Sequence, residues 1–220
     1  MGEMTEWFSN SIRLCPACLR KSERHRVLCY RCANYAVQFQ YRQWARWQEG
    51  VPILSLYEWD ERAHGLFQTY ANHLKGGGTP NIYQSLAADI LILRAQQKKF
   101  ADRTTTLPWV IVPAPAAQES LRDHAGELAF QIAQLSDAEY LPCLKRLGQK
   151  SQKQKSLKER WMGSPMQLKG DLPRSDRQYI WVDDVITTGS TASNAYKLLG
   201  RPPFFEIWTL FNRPRLRGRG

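Results

Sequence analysis

Apolar positions recur along this chain with two spacings, and each predicts its own kind of element. Leu66, Phe67, Tyr70, Ala71 and Leu74 fall at i, i+1, i+4, i+5 and i+8, the stripe of an amphipathic helix. Gly76 to Gly78 stop that helix. Thr79 then caps a second one, with Pro80 at its first position and Ile82, Leu86, Ile90 and Leu93 facing inward. A third helical face carries Ala125, Leu128, Ala129 and Ile132. Between these stripes lie short apolar runs: Ile53–Trp59, Val110–Pro115 with its prolines at the end, Leu141–Leu147, Ile180–Val182 and Phe204–Phe211. Runs of that length read as buried strands. Strands alternating with helices predict an α/β fold, a parallel sheet flanked by helices. Asn34 to Gln48, with Phe39, Tyr41, Trp44 and Trp47, predicts a linking helix, its aromatics either buried or interleaved with Arg31, Arg42 and Arg46 to stack single-stranded bases.

The strand at Ile180–Val182 runs into Asp183 and Asp184, then into Thr187, Thr188, Gly189, Ser190 and Thr191, which open a helix expected over Thr191–Leu199. Ligands of open α/β sheets bind beyond the carboxyl ends of such strands. A helix start rich in hydroxyls favours a phosphate, and Gly189 permits the tight turn. Carboxylates repel phosphate, so the partners of Asp183 and Asp184 are sugar hydroxyls and a hard cation such as Mg²⁺. An ordinary Asp-rich turn before a Thr-capped helix has the same residue types.

Cys15, Cys18, Cys29 and Cys32 form two CxxC pairs ten residues apart. Four thiolates in a tetrahedron suit a structural Zn²⁺ and leave no open coordination position. A disulfide pair or an iron–sulfur cluster is the other reading, and disulfides need an oxidising compartment. The first residues hold no apolar run fit for a signal peptide and no stretch reaches 18 apolar residues, so a cytoplasmic chain is expected. Cys143 reads as a small core residue. His25, His64, His73 and His124 have no metal spacing and are expected to be exposed or locally hydrogen-bonded.

IWVDDVITTGST, residues 180–191, resembles the phosphoribosyl pyrophosphate (PRPP) loop of type I phosphoribosyltransferases. The resemblance implies that Asp183 and Asp184 hold the ribose hydroxyls as the catalytic pair, that Thr187 to Thr191 cradle the 5′-phosphate, and that Mg²⁺ arrives with PRPP. With the N-terminal cysteines, the layout resembles the ComF/GntX family of phosphoribosyltransferase-like proteins, which is linked with DNA uptake and competence. That implies a type I phosphoribosyltransferase-like, Rossmann-like sheet over residues 49–220 behind a zinc ribbon and linker helix over residues 1–48. Val110–Pro115 looks like the family's VPVP segment, which implies pyrophosphate-side roles for Ala114, Pro115 and Arg122. The following AAQESLRDHAGELA departs from the family's Arg-rich pattern and weakens that carry-over. Gln154 to Arg160 looks like a compressed Q..L...R element. LKGG at Leu74–Gly77 has the letters of a purine-salvage pyrophosphate loop, but a helical stripe precedes it, leaving a helix stop with a ligand-facing Lys75.

A net charge of +11 implies anionic partners, and 43% hydrophobic residues supply a core. The basic residues concentrate in a loop over 145–160 and in an Arg-rich tail over 212–220. The loop reads as a solvated insertion, as a lid that brings a cation to pyrophosphate, or as a contact for single-stranded DNA. The sequence thus supports two function classes. One is a phosphoribosyltransferase that joins ribose 5-phosphate to a nitrogen nucleophile. The other is a non-catalytic DNA-handling module that PRPP or a nucleotide regulates, in company with the competence machinery.

Overall fold

The structure, a computed structural model, describes residues 15, 17, 18, 20, 21, 28–39, 45, 46, 50–77, 79–97, 107–116, 123–147, 165–170 and 176–213. Strands β1 (Ala45–Arg46), β2 (Pro52–Glu58), β3 (Trp109–Pro113), β4 (Glu139–Tyr140), β7 (Gln178–Ile186) and β8 (Phe205–Asn212) form one sheet in the order β1-β2-β8-β7-β3-β4. The five strands from β2 to β4 are parallel, and β1 pairs antiparallel at the β2 edge. A separate antiparallel pair joins β5 (Leu144–Arg146) to β6 (Met166–Leu168). Gln178 to Val182 and Phe205 to Phe211 are buried without a break, as expected of central parallel strands covered on both faces.

Helices α2 (His64–Gly77), α3 (Pro80–Gln96) and α4 (His124–Ser136) pack on one face, where Phe67, Leu86, Ile90, Leu128 and Ile132 meet Ile111, Ile180, Val182 and Trp208. Helix α5 (Ser190–Leu198) covers the other face, where Ala192 and Ala195 meet Val112, Trp181 and Ile207. Each fully buried Leu, Ile or Phe contributes about 1.5–3 kcal/mol by leaving water. Trp208 is fully buried and takes the edge of Trp109, ring centres 5.4 Å apart. At the amino ends of β7 and β8, Arg94 of α3 forms a two-point ion pair with Glu206 at 3.2 and 3.0 Å. Gln178 and Trp208 Nε1 each donate to the same carboxylate at 2.8 Å.

Local chemistry explains the helix ends. Asp123 accepts from Gly126 N at the start of α4, and Asp137 closes that helix in the left-handed conformation. Thr79 has the extended backbone of an N-cap before Pro80, but its hydroxyl makes no cap hydrogen bond and is buried without a partner among the described residues.

Three elements depart from the sequence expectation. The linking helix expected over Asn34–Gln48 is α1 (Tyr30–Val37), which begins directly after Cys29. Ala45 and Arg46 instead pair with β2 and cover its edge. The strand expected over Leu141–Leu147 is only β5 (Leu144–Arg146), set apart from β4 because Pro142 has no N–H to continue a ladder. Strand β7 continues past Val182 to Ile186, since β8 still pairs with it after β3 has ended. Phe39 is buried in part, edge-on to Phe67 at 5.8 Å, while Tyr41, Trp44, Trp47 and Arg42 lie outside the described residues.

Candidate functional site

The chain turns to opposite faces of the sheet after two neighbouring strands. From β3 it enters α4 on one face, and from β7 it enters α5 on the other. The crevice between their carboxyl ends is therefore the switch point at which open α/β sheets take ligands. Ladder pairing between β3 and β7 ends at Pro113 and Val182, so Asp183 is the next residue of β7 into that opening.

The two carboxyls stay within hydrogen-bond reach of each other, and Asp183 Oδ1 accepts from Asp184 N at 2.9 Å. Asp183 lines a cavity of about 40 Å³ with Trp181, Ile207 and the whole Thr187–Thr191 turn. At about 10–15 Å³ per water, that space holds the oxygens of one phosphate. Asp184 Oδ2 stands 3.1 Å from Lys75 Nζ and 3.2 Å from His124 Nε2. Burial pushes the Asp183 carboxyl well above the usual range, and the charge on Asp184 adds to the rise. Burial would raise Asp184 too, but the His124 contact and charge, then the Lys75 charge, outweigh it and hold that carboxyl well below the usual range. Of the pair, Asp184 thus ionises the more readily and Asp183 the less.

The turn is shaped by one residue and its hydroxyls. Gly189 sits at φ 71°, a left-handed conformation that costs other residues about 1–2 kcal/mol. It places its carbonyl to accept from Ser193 N at 2.8 Å, which starts α5 at Ser190, one residue earlier than expected. Thr188 Oγ1 and Ser190 Oγ are 3.1 Å apart and share one hydrogen bond. The first-turn N–H groups of such a helix have no intrahelical acceptors and favour an anion.

On the β3 side, Ala114 N donates to Val182 O at 2.7 Å and Pro115 O accepts from Arg146 Nε at 2.8 Å. Arg146, noted in the sequence only as part of a basic loop, anchors the segment beyond β3 and tempers the rise of Asp183. Arg122 lies outside the described residues, as do residues 148–160 of the basic loop and 214–220 of the tail. The side chains brought together at the crevice are therefore Asp183, Asp184, the Thr187–Thr191 turn, Lys75, His124 and Arg146. His124 escaped the sequence reading because nothing in the order of residues links the start of α4 to β7. Thr209, buried on β8, also escaped it, and its hydroxyl donates to Asp184 O at 2.9 Å.

A larger cavity, about 150 Å³, opens at the amino ends of the strands between Tyr196, Pro203 and Phe204. Its polar walls, Gln178 and Glu206, are engaged in the Arg94 network, and no hydroxyl-rich turn faces it. Chemistry, not volume, selects the crevice.

The Sγ atoms of Cys15, Cys18, Cys29 and Cys32 all lie within 4.8 Å of one another, as in a site for one metal ion. Tetrahedral sulfurs at about 2.3 Å from zinc stand roughly 3.8 Å apart, and Cys18 and Cys29 are already at 3.5 Å. The Cys32 N–H, then the neighbouring thiols, lower the Cys29 thiol to about 7 against the opposing effect of burial, so a thiolate ligand is accessible near neutral pH. Cys143 is buried, and its thiol is pushed up to about 11 chiefly by that burial, in keeping with a core role.

Among the described residues, no helix is long and apolar enough to cross a membrane. No family model and no curated protein matches the chain. Among solved structures, it is similar to one described as the crystal structure of adenine phosphoribosyltransferase, at 11% identity and a TM-score of 0.40, over 82% of this chain and 89% of that one.

Proposed function

We propose that this chain binds PRPP with Mg²⁺ in the crevice between β3 and β7 and is a phosphoribosyltransferase-like protein of the ComF/GntX type. One observation carries the reading. An acidic pair and a hydroxyl-rich, glycine-bent helix start meet at the switch point, where Asp183 and the turn line a cavity the size of one phosphate. The 5′-phosphate sits on the Ser190 end of α5, and Asp183 and Asp184 accept hydrogen bonds from the ribose hydroxyls. Carboxylate oxygens are the hard donors Mg²⁺ takes, and the ion would neutralise pyrophosphate charge as it departs.

The reaction this geometry serves breaks the bond between the anomeric carbon and the pyrophosphate oxygen. A bond to a nitrogen nucleophile forms, the nitrogen loses a proton and pyrophosphate leaves. The protein contributes position and charge: the ionised Asp184 lies beside a ribose that becomes cationic, and Arg146 holds the loop beyond β3. The four cysteines hold zinc as a structural ion that ties the start of α1 to the chain before it. Calorimetry of Mg²⁺-PRPP, followed by pyrophosphate release across a panel of bases and amines, tests the proposal. Binding with release assigns a transferase, binding without release assigns a ligand-binding module, and absence of binding rejects both.

A further inference from the structure

The crevice contains two nitrogen donors, Lys75 Nζ and His124 Nε2, that the proposed PRPP contacts leave unused, and a role for them rests on that assignment of the site. Lys75 ends α2 and His124 begins α4, yet both meet one atom, Asp184 Oδ2. That oxygen is buried and in ion-pair range of both nitrogens, but aligned for a hydrogen bond with neither. Contacts off hydrogen-bond alignment are weaker than aligned ones. The Lys75 side chain is 49% exposed and that of His124 is 22% exposed, so each can turn toward an anion arriving from solvent. Asp183 and the Thr187–Thr191 turn line the 5′-phosphate cavity, with neither Lys75 nor His124 in its wall, which leaves the ribose between two anion-binding ends.

We propose that Lys75 and His124 form an anion clamp that Asp184 keeps occupied in the empty site. Ribose hydroxyls donating to Asp184 release the clamp for the second anionic group of the ligand, its pyrophosphate. Either event breaks the same ion pairs, so whichever ligand group binds first lowers the cost for the other. The two ends of PRPP are then read cooperatively, and a sugar phosphate with no second anion is bound less well than its own contacts allow.

The test is calorimetry with ribose 5-phosphate and inorganic pyrophosphate, separately and together, at fixed Mg²⁺. In the parent protein each ligand should tighten the other about fivefold or more. Lys75→Met and His124→Gln should weaken pyrophosphate and lose the coupling, while ribose 5-phosphate alone binds at least as well as in the parent. Lys75→Arg should keep the coupling. Asp184→Asn should bind pyrophosphate alone more tightly than the parent, and ribose 5-phosphate more weakly. Additive binding in the parent, or unchanged coupling in Lys75→Met and His124→Gln, overturns the clamp and leaves the PRPP site standing. A parent protein that binds neither ribose 5-phosphate nor PRPP overturns the proposed function and the clamp with it.

Discussion

Replacing Arg94 with methionine should cost this protein a large part of its stability, although the residue is far from the crevice. Arg94 and Glu206 are both buried, at 7% exposure each. Two hydrogen bonds join them, at 3.2 and 3.0 Å. Arg94→Met leaves the carboxylate in place, still bonded by Gln178 and Trp208 but with its charge uncompensated. Breaking one side of a buried pair costs roughly 3–5 kcal/mol. For a chain of this length each kcal/mol lowers Tm by about 2–4 °C, which gives a fall of about 6–20 °C. Adding Glu206→Gln to Arg94→Met removes the orphaned charge and leaves one acceptor for two buried donors. The double variant should therefore be only about 1–3 kcal/mol less stable than the parent, and more stable than Arg94→Met alone. Urea denaturation with an unchanged m-value measures all three proteins. An Arg94→Met cost under about 1 kcal/mol, or a double variant less stable than the single, would refute the reasoning.

The carboxylates should respond in opposite directions in the ligand-free protein. Asp183 has a raised folded pKa, so its favourable contribution is full below the unfolded value and is lost as pH rises through the folded one; Asp183→Asn should raise Tm at neutral pH, and no rise there contradicts the assignment. Asp184 has a lowered folded pKa, so its contribution is present above the unfolded value and lost as pH falls; Asp184→Asn should lower neutral-pH stability by roughly 1–2 kcal/mol, a deficit that shrinks in acid. Gly189→Ala should cost about 1–2 kcal/mol by forcing a side chain into the left-handed region, and a neutral effect would mean that the turn relaxes freely. Metal analysis should find one zinc per chain, lost in Cys29→Ser together with protection of the N-terminal segment from protease; a zinc-free parent with the same protection excludes the metal site.

Much of the fold is legible because buried parallel strands read as unbroken apolar runs and surface helices as stripes. Ile82, Leu86, Ile90 and Leu93 of α3, and Ala125, Leu128, Ala129 and Ile132 of α4, are all buried as the periodicity predicts. What the order of residues does not carry is the meeting of distant elements. Nothing near His124 marks it as a partner of Asp184, and nothing near Glu206 marks Arg94. The place of Asp183 and Asp184 inside a strand was hidden for a different reason. A strand expected to end at Val182 leaves both acids in a turn, whereas pairing with β8 extends it through them.

Calorimetry of Mg²⁺-PRPP with the parent, Asp183→Asn and Thr188→Val tests the crevice most directly. Asp183 lines the cavity, and its replacement removes a ribose hydrogen bond of an un-ionised carboxyl, worth roughly 0.5–1.5 kcal/mol, so affinity should fall by about two- to tenfold. Thr188→Val should weaken PRPP and ribose 5-phosphate alike, because its hydroxyl serves the 5′-phosphate end, while the dependence on Mg²⁺ stays as in the parent. If both variants bind PRPP as the parent does, the ligand is held elsewhere and the crevice between β3 and β7 is not the PRPP site.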